Sequence, residues 1–210
     1  MPQQVTRYEP DNRAAWRAWL RANHATSTGI WLVFLKGAER QIKYAEAVEE
    51  ALCFGWIDSL MRPIDGRTYM QLFTPRKPRS HWSALNKRRI EDLIARKLMA
   101  APGLAKIEAA KKDGSWTLID AVEALTIPPD LARAFAANKK AKAFFDSLPP
   151  SSRKGILHWI NNVKTPELRA ARVAHAVSQN AKGLRPMHQE QWLAKTKAAA
   201  KARKKKGGGA

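Results

Sequence analysis

The segment from Trp56 to Trp82 gathers side chains with much chemistry, among them the acid Asp58, the bases Arg62, Arg76 and Arg79, the phenol Tyr69, the amide Gln71, and the indoles Trp56 and Trp82. Guanidinium groups grip oxyanions through paired N–H donors, and indole faces stack on flat or cationic groups. Trp56, Asp58, Arg62, Tyr69, Arg76 and Trp82 therefore form the candidate ligand-binding set, suited to a small anionic ligand or protein partner. A second reading makes Asp58 or Tyr69 the acid or base of a small-molecule enzyme, but no other acid in the segment completes a paired-carboxylate mechanism. A structural reading pairs Asp58 with Arg62 or Arg76 and so locks the hairpin to the loop that follows it.

Other reactive types form no recognisable constellation. His24, His81, His158, His175 and His188 show no HxH or HExxH spacing, so no metal site is expected. Cys53 stands late in an amphipathic helix, where a buried thiol packs rather than reacts, and Ser59 has no histidine nearby in sequence. Isolated Gly29, Gly37 and Gly55 make no phosphate loop, and no cofactor is implied. The eight tryptophans are expected mainly in cores.

The elements beneath these side chains decide which of them meet. Asp11 is placed to cap a first helix carrying Trp16, Trp19 and Leu20. "IWLVFL", Ile30 to Leu35, reads as a strand buried on both faces. Tyr44, Ala47, Val48, Ala51 and Leu52 then follow helical spacing, with Glu46, Glu49 and Glu50 opposite and Gly55 as the stop. Beyond Gly55 the period becomes two, and Asp65-Gly66 between two such runs predicts a type I′ hairpin. In that register Arg62 faces Tyr69, Leu60 faces Gln71 and Asp58 faces Phe73, on one mixed surface with Trp56. Ile57, Ser59, Met61, Met70, Leu72 and Thr74 take the other surface, the expected core side.

The prolines of "TPRKPRSHWS" end the sheet, and Ser83 caps a helix with Ile90, Leu93, Ile94 and Leu98 on one side and Lys87, Arg88 and Arg89 near its start. Pro102 opens another helix ending near Asp113-Gly114. After Trp116 the chain reads helical in "LIDAVEAL", "DLARAFAANKKAKAFFDSL", "SRKGILHWINNV" and "ELRAARVAHAVSQ", the last capped by Thr165. The expected fold class is α+β: residues 1–115 with a small antiparallel or mixed sheet and packed helices, 116–182 all helical, and 183–210 an arm with a basic, disordered tail.

Three segments carry a family resemblance. "YAEAVEEALCFGWIDS", "TYMQLFTPRKPRSHWSALNKRRIEDLI" and "AFFDSLPPSSRKGILHWINNVKTPELRAARVAHAV" together resemble the bacterial YdeI/OmpD-associated family, also named for bacteriocin protection, over residues 11 to 180. The positions that carry the likeness are Gly55, Trp56, Ile57, Asp58, Tyr69, Phe73, Thr74, Pro75, Arg76, Trp82, Ser83 and Asn86. Lys43 departs from it, standing where members often carry a Thr that caps the next helix. The resemblance implies a fold and an association with envelope stress or antimicrobial-peptide resistance, with no established reaction.

Charge bounds the rest. The chain of 210 residues has 38 Lys+Arg against 18 Asp+Glu, a net +20, and 45% hydrophobic residues, enough to build a core. Such a surplus favours anionic partners and repels cationic peptides at long range. The longest apolar run falls far short of the roughly 20 residues that span a membrane, no secretory h-region opens the chain, and one cysteine suits a cytoplasmic protein. The tail places Lys195, Lys197, Lys201, Arg203, Lys204, Lys205 and Lys206 together without an acid, so nonspecific nucleic-acid binding is the alternative function. Deleting residues 195–210 is expected to abolish most low-salt DNA retardation in a gel and leave the fold intact. Unchanged retardation would shift that activity to the basic body.

Overall fold

Tryptophan and phenylalanine side chains set how the sheet is covered. In the computed structural model, residues 5–37 and 41–186 are described, and the chain divides into two compact units, Met1–Asp120 and Ala121–Ala210. The proposed nucleic-acid residues from Lys195 onward, and His188, lie outside the described residues.

The first unit runs β1 (Arg7–Tyr8), α1 (Arg13–Asn23), β2 (Ile30–Leu35), α2 (Tyr44–Cys53), β3 (Trp56–Pro63), β4 (Thr68–Pro75), α3 (Ala84–Ala95) and α4 (Ala101–Lys112). The sheet is mixed, in the order β1-β2-β4-β3, with β1 parallel to β2 and the other pairs antiparallel. The fold class is α+β. Asn12, not Asp11, caps α1, its side chain accepting from the Ala15 N–H at 2.9 Å. Ser83 caps α3 as expected, whereas Ile94 faces water at 48% exposure while Ile90 and Leu93 are buried.

The strand IWLVFL alternates instead of burying both faces: Ile30, Leu32 and Phe34 are buried, and Trp31, Val33 and Leu35 only partly so. Its buried residues pair with Phe73, Gln71 and Tyr69 of β4, so that surface is the inner one. Trp16 of α1 meets Phe73 edge-on at 5.5 Å and stacks on Trp19, which meets Trp56 edge-on at 5.7 Å. The Trp16 indole N–H also donates to the Ala47 carbonyl of α2 at 3.0 Å. The surface expected to be mixed and exposed is thus the core side, because Trp56 and Phe73 are too large and apolar to be left in water.

Glu50 likewise turns inward. It is 3% exposed and holds Arg13 Nε at 2.6 Å and Arg17 Nη1 at 2.5 Å, while Arg17 Nη2 donates to the Leu98 carbonyl at 2.7 Å. One carboxylate thereby ties α1 and α2 to the α3–α4 connection.

The second unit contains α6 (Pro129–Ala136), α7 (Lys139–Ser147), α8 (Pro150–Asn161) and α9 (Pro166–Ala181); the short α5 (Asp120–Glu123) precedes them. The expected single run from Asp130 to Leu148 is two helices, because Asn138 leaves helical geometry and caps α7 by accepting from Ala141 N–H at 3.0 Å. Thr165 caps α9 as expected. Leu131, Phe135, Phe145, Leu157 and Ile160 fill the core, and Arg169 clamps Asp130 through two hydrogen bonds of 2.6 and 3.0 Å. Arg169, above all, holds the Asp130 carboxyl below the usual carboxylate range.

Two glycines test opposite packing limits. A Cβ on Gly103 of α4 would lie 2.3 Å from the Cys53 carbonyl oxygen, whereas one on Gly155 of α8 would meet nothing within 4 Å. Gly103→Ala is expected to destabilise by about 1–3 kcal/mol through overpacking. Gly155→Ala should stabilise by about 0.5–1 kcal/mol through helix propensity, and paired denaturant melts check both signs.

Candidate functional site

A bulge in β3 determines which of the candidate side chains meet. Trp56, Ile57 and Asp58 pair with Pro75, Thr74 and Phe73, but Met61, Arg62 and Pro63 pair with Gln71, Met70 and Tyr69. The register therefore slips by one between Asp58 and Met61, and Ser59 and Leu60 together oppose Leu72. Asp58 opposite Phe73 agrees with the sequence register; Arg62 opposite Tyr69 and Leu60 opposite Gln71 do not. The turn differs as well. Gly66 does not take a positive φ, and the Asp65 carboxylate accepts from the Arg67 and Thr68 N–H groups at 2.7 Å each, an Asx-type loop instead of type I′.

The slip sends Arg62 to the outer surface. Its guanidinium lies over the Trp31 ring at 5.0 Å, reaching across β4 and away from Asp58. Trp56 is 1% exposed, and its indole N–H donates to the His24 carbonyl at 3.2 Å, which makes it a core residue.

Asp58 is held by neither arginine. Its Oδ2 accepts from the Tyr44 hydroxyl at 2.6 Å and from the Gln71 amide at 3.3 Å, and no ion pair reaches it among the described residues. Tyr44 stands at the first turn of α2, where helical spacing had marked it simply as an apolar position. Burial, then the hydrogen bond to Asp58, pushes its phenol pKa well up. Tyr69 stacks on Phe34 at 5.1 Å, so the phenol that Asp58 engages is Tyr44 and not Tyr69. Gln71, 5% exposed, also donates to the Ser59 carbonyl at 3.0 Å and so satisfies backbone that the bulge removes from the ladder.

Arg76 and Trp82 do meet. The guanidinium lies 3.5 Å from the centre of the Trp82 ring, and its Nη1 donates to the His81 carbonyl at 3.0 Å and the Ser80 hydroxyl at 3.3 Å. Arg76 is 4% exposed, and burial pulls its pKa down to about 10, opposed only by the charge of Asp58 acting through space. The sequence set therefore splits into a hydrogen-bonded, half-exposed Asp58 cluster, an outer Arg62, a core Trp56 and an Arg76–Trp82 stack.

Cys53 is fully buried, and burial pushes its thiol pKa up, leaving it poorly suited to nucleophilic attack. Among the described residues no three His, Cys, Asp or Glu side chains converge as a metal site would need, and no helix is long and apolar enough to cross a membrane.

Two family models match. Residues 8–106 match one described as a domain of unknown function, DUF8412. Residues 124–183 match one described as Bacteriocin-protection, YdeI or OmpD-Associated. This second match falls within the second unit. The resemblance read over residues 11 to 180 thus divides. Its late PPS…W segment lies in the YdeI/OmpD-associated match, while GWID and FTPR fall within the 8–106 match. The YdeI/OmpD-associated match supports a bacterial envelope- or stress-associated protein. No curated protein and no solved structure matches the chain.

The bulge cluster makes an ordered prediction. Tyr44→Phe loses one half-exposed hydrogen bond and should cost about 1 kcal/mol. Gln71→Ala leaves the Ser59 carbonyl unpaired and should cost about 2–3 kcal/mol, measured by urea denaturation.

Proposed function

We propose that the chain is a non-enzymatic stress or envelope-protection protein that works in the cytoplasm by binding a small anionic ligand or an acidic partner. The observation that carries this reading is Arg76: a buried guanidinium with no carboxylate within ion-pair distance among the described residues. Burying such a charge without a counter-charge is costly, and an anion would offset it. The hydrogen-bonded Asp58 cluster points the same way. Its carboxylate is bound to Tyr44 and Gln71 as a bulge support, which leaves it poorly placed to move protons.

Net charge supports indirect protection. At +20 the chain repels cationic antimicrobial peptides at long range, so its ligand carries the opposite sign. Calorimetry with such a peptide at physiological salt is expected to show no tight binding; submicromolar affinity would sink the indirect reading. In a thermal-shift screen of small anions against chloride at matched ionic strength, at least one anion should raise Tm. Asp58→Asn should melt earlier yet keep the same increment, because Asp58 supports the fold and not the ligand.

A further inference from the structure

Below the Arg76–Trp82 stack lies a cavity of about 70 Å³, lined by Arg76, Lys77, Arg79, Trp82, Lys106 and Asp113, among others. Its size decides what fits. Drug-sized and nucleotide ligands occupy pockets of about 300–1,000 Å³, whereas a single water needs roughly 10–15 Å³. The cavity therefore takes a group worth a few waters, which is the size of one tetrahedral oxyanion.

Charge and geometry agree with size. Four cationic side chains line the cavity against one carboxylate, Asp113. That carboxylate already accepts the Ser115 N–H at 2.9 Å, and contacts from Ser115 first, then Arg79, hold its pKa below the usual range. It stays ionised and leaves a cationic excess. Arg76 keeps a buried donor unused: Nη1 is committed to His81 and Ser80, but Nε is buried without a hydrogen-bond partner among the described residues. Buried guanidinium N–H groups are normally satisfied. The ring of Trp82 fixes the plane of the guanidinium, so this donor is preorganised. Arg79 adds a local constraint, sitting at φ 57°, a left-handed conformation that arginine seldom adopts and that turns the loop around the cavity.

We propose that this cavity is an oxyanion-binding site for a phosphate- or sulfate-class group, with Arg76 as its buried anchor and Arg79, Lys77 and Lys106 as its charged rim. The proposal rests on the anion-binding reading above and gives it a place and a ligand class. The group is either the free ion or the terminal phosphate of a larger molecule whose remainder stays outside the cavity.

The test uses the full chain. Inorganic phosphate and sulfate are titrated by calorimetry and thermal shift, with chloride at matched ionic strength, while the Arg76 Nε–H resonance is followed by NMR. A second arm replaces phosphate with a phosphomonoester such as glycerol phosphate; tighter binding than phosphate identifies the terminal-group source, and equal or weaker binding the free ion, with the site upheld in either case. Binding should be saturable, shift the Arg76 Nε–H resonance, and weaken about tenfold in each of Arg79→Asn and Lys106→Gln. These rim variants keep the buried anchor, and asparagine tolerates the left-handed conformation, so their Tm in chloride should remain that of wild type. A surface control, Lys139→Gln, should bind as wild type. If phosphate stabilises wild type and both rim variants equally, or leaves the Arg76 resonance unmoved, the site is overturned while anion binding elsewhere survives. If no anion stabilises the chain beyond chloride, both the site and the anion-binding reading fail.

Discussion

One extra residue in β3 governs what the hairpin presents. Because side chains alternate along a strand, a one-residue slip sends everything beyond it to the opposite surface. Upstream of Ser59 and Leu60, Asp58 shares the inner side with Phe73; downstream, Arg62 pairs with Met70 and reaches outward to Trp31. An acid and a base four residues apart are thereby separated by the sheet itself. The bulge persists because Gln71 donates to the carbonyl it orphans, and the same amide holds Asp58 toward Tyr44. An amide in the core of a sheet is usually a liability; here it completes the backbone hydrogen bonding.

Among the described residues, buried and half-buried guanidinium groups are handled in three ways. Arg13 and Arg17 converge on Glu50, which compensates them by charge. Arg172, 2% exposed, donates to the Trp159 and Asn162 carbonyls and so satisfies the C-terminal end of α8, where the helix dipole favours a cation. Arg76 has an aromatic face and two neutral acceptors but no acid at contact distance among the described residues. The first arrangement is closed by a carboxylate, the second by helix-terminal carbonyls beneath an aromatic ring. The third leaves its charge without a counter-charge at contact distance among the described residues, in a chain that already carries a large positive surplus.

Legibility from sequence followed the locality of the forces. Helix starts at Ser83 and Thr165, the stop at Gly55 and the break at Gly114 depend on residues within a turn of each other, and they stand where the pattern put them. The break at Asn138 was equally local, but strong helix formers on both sides masked its capping role. The inner side of the sheet was misread because Met70, Leu72 and Ile57 are apolar too, and alternation alone cannot rank two apolar surfaces. Tyr44 escaped notice because its hydroxyl acts across space on a residue fourteen positions away. Glu50 was read as solvated for the same reason: its partners, Arg13 and Arg17, belong to a different helix.

Sequence by itself determined the α+β class, the succession of most elements, the basic character and the chemical inventory of the hairpin, since each follows from composition or short-range periodicity. Only tertiary structure decided which of those groups meet. A bulge leaves no signature in an alternating strand until its partner strand is placed, and burial of Arg76 depends on Trp82 and α4 arriving beside it. Register and burial are properties of contacts between distant segments, and such contacts exist only once the chain has folded.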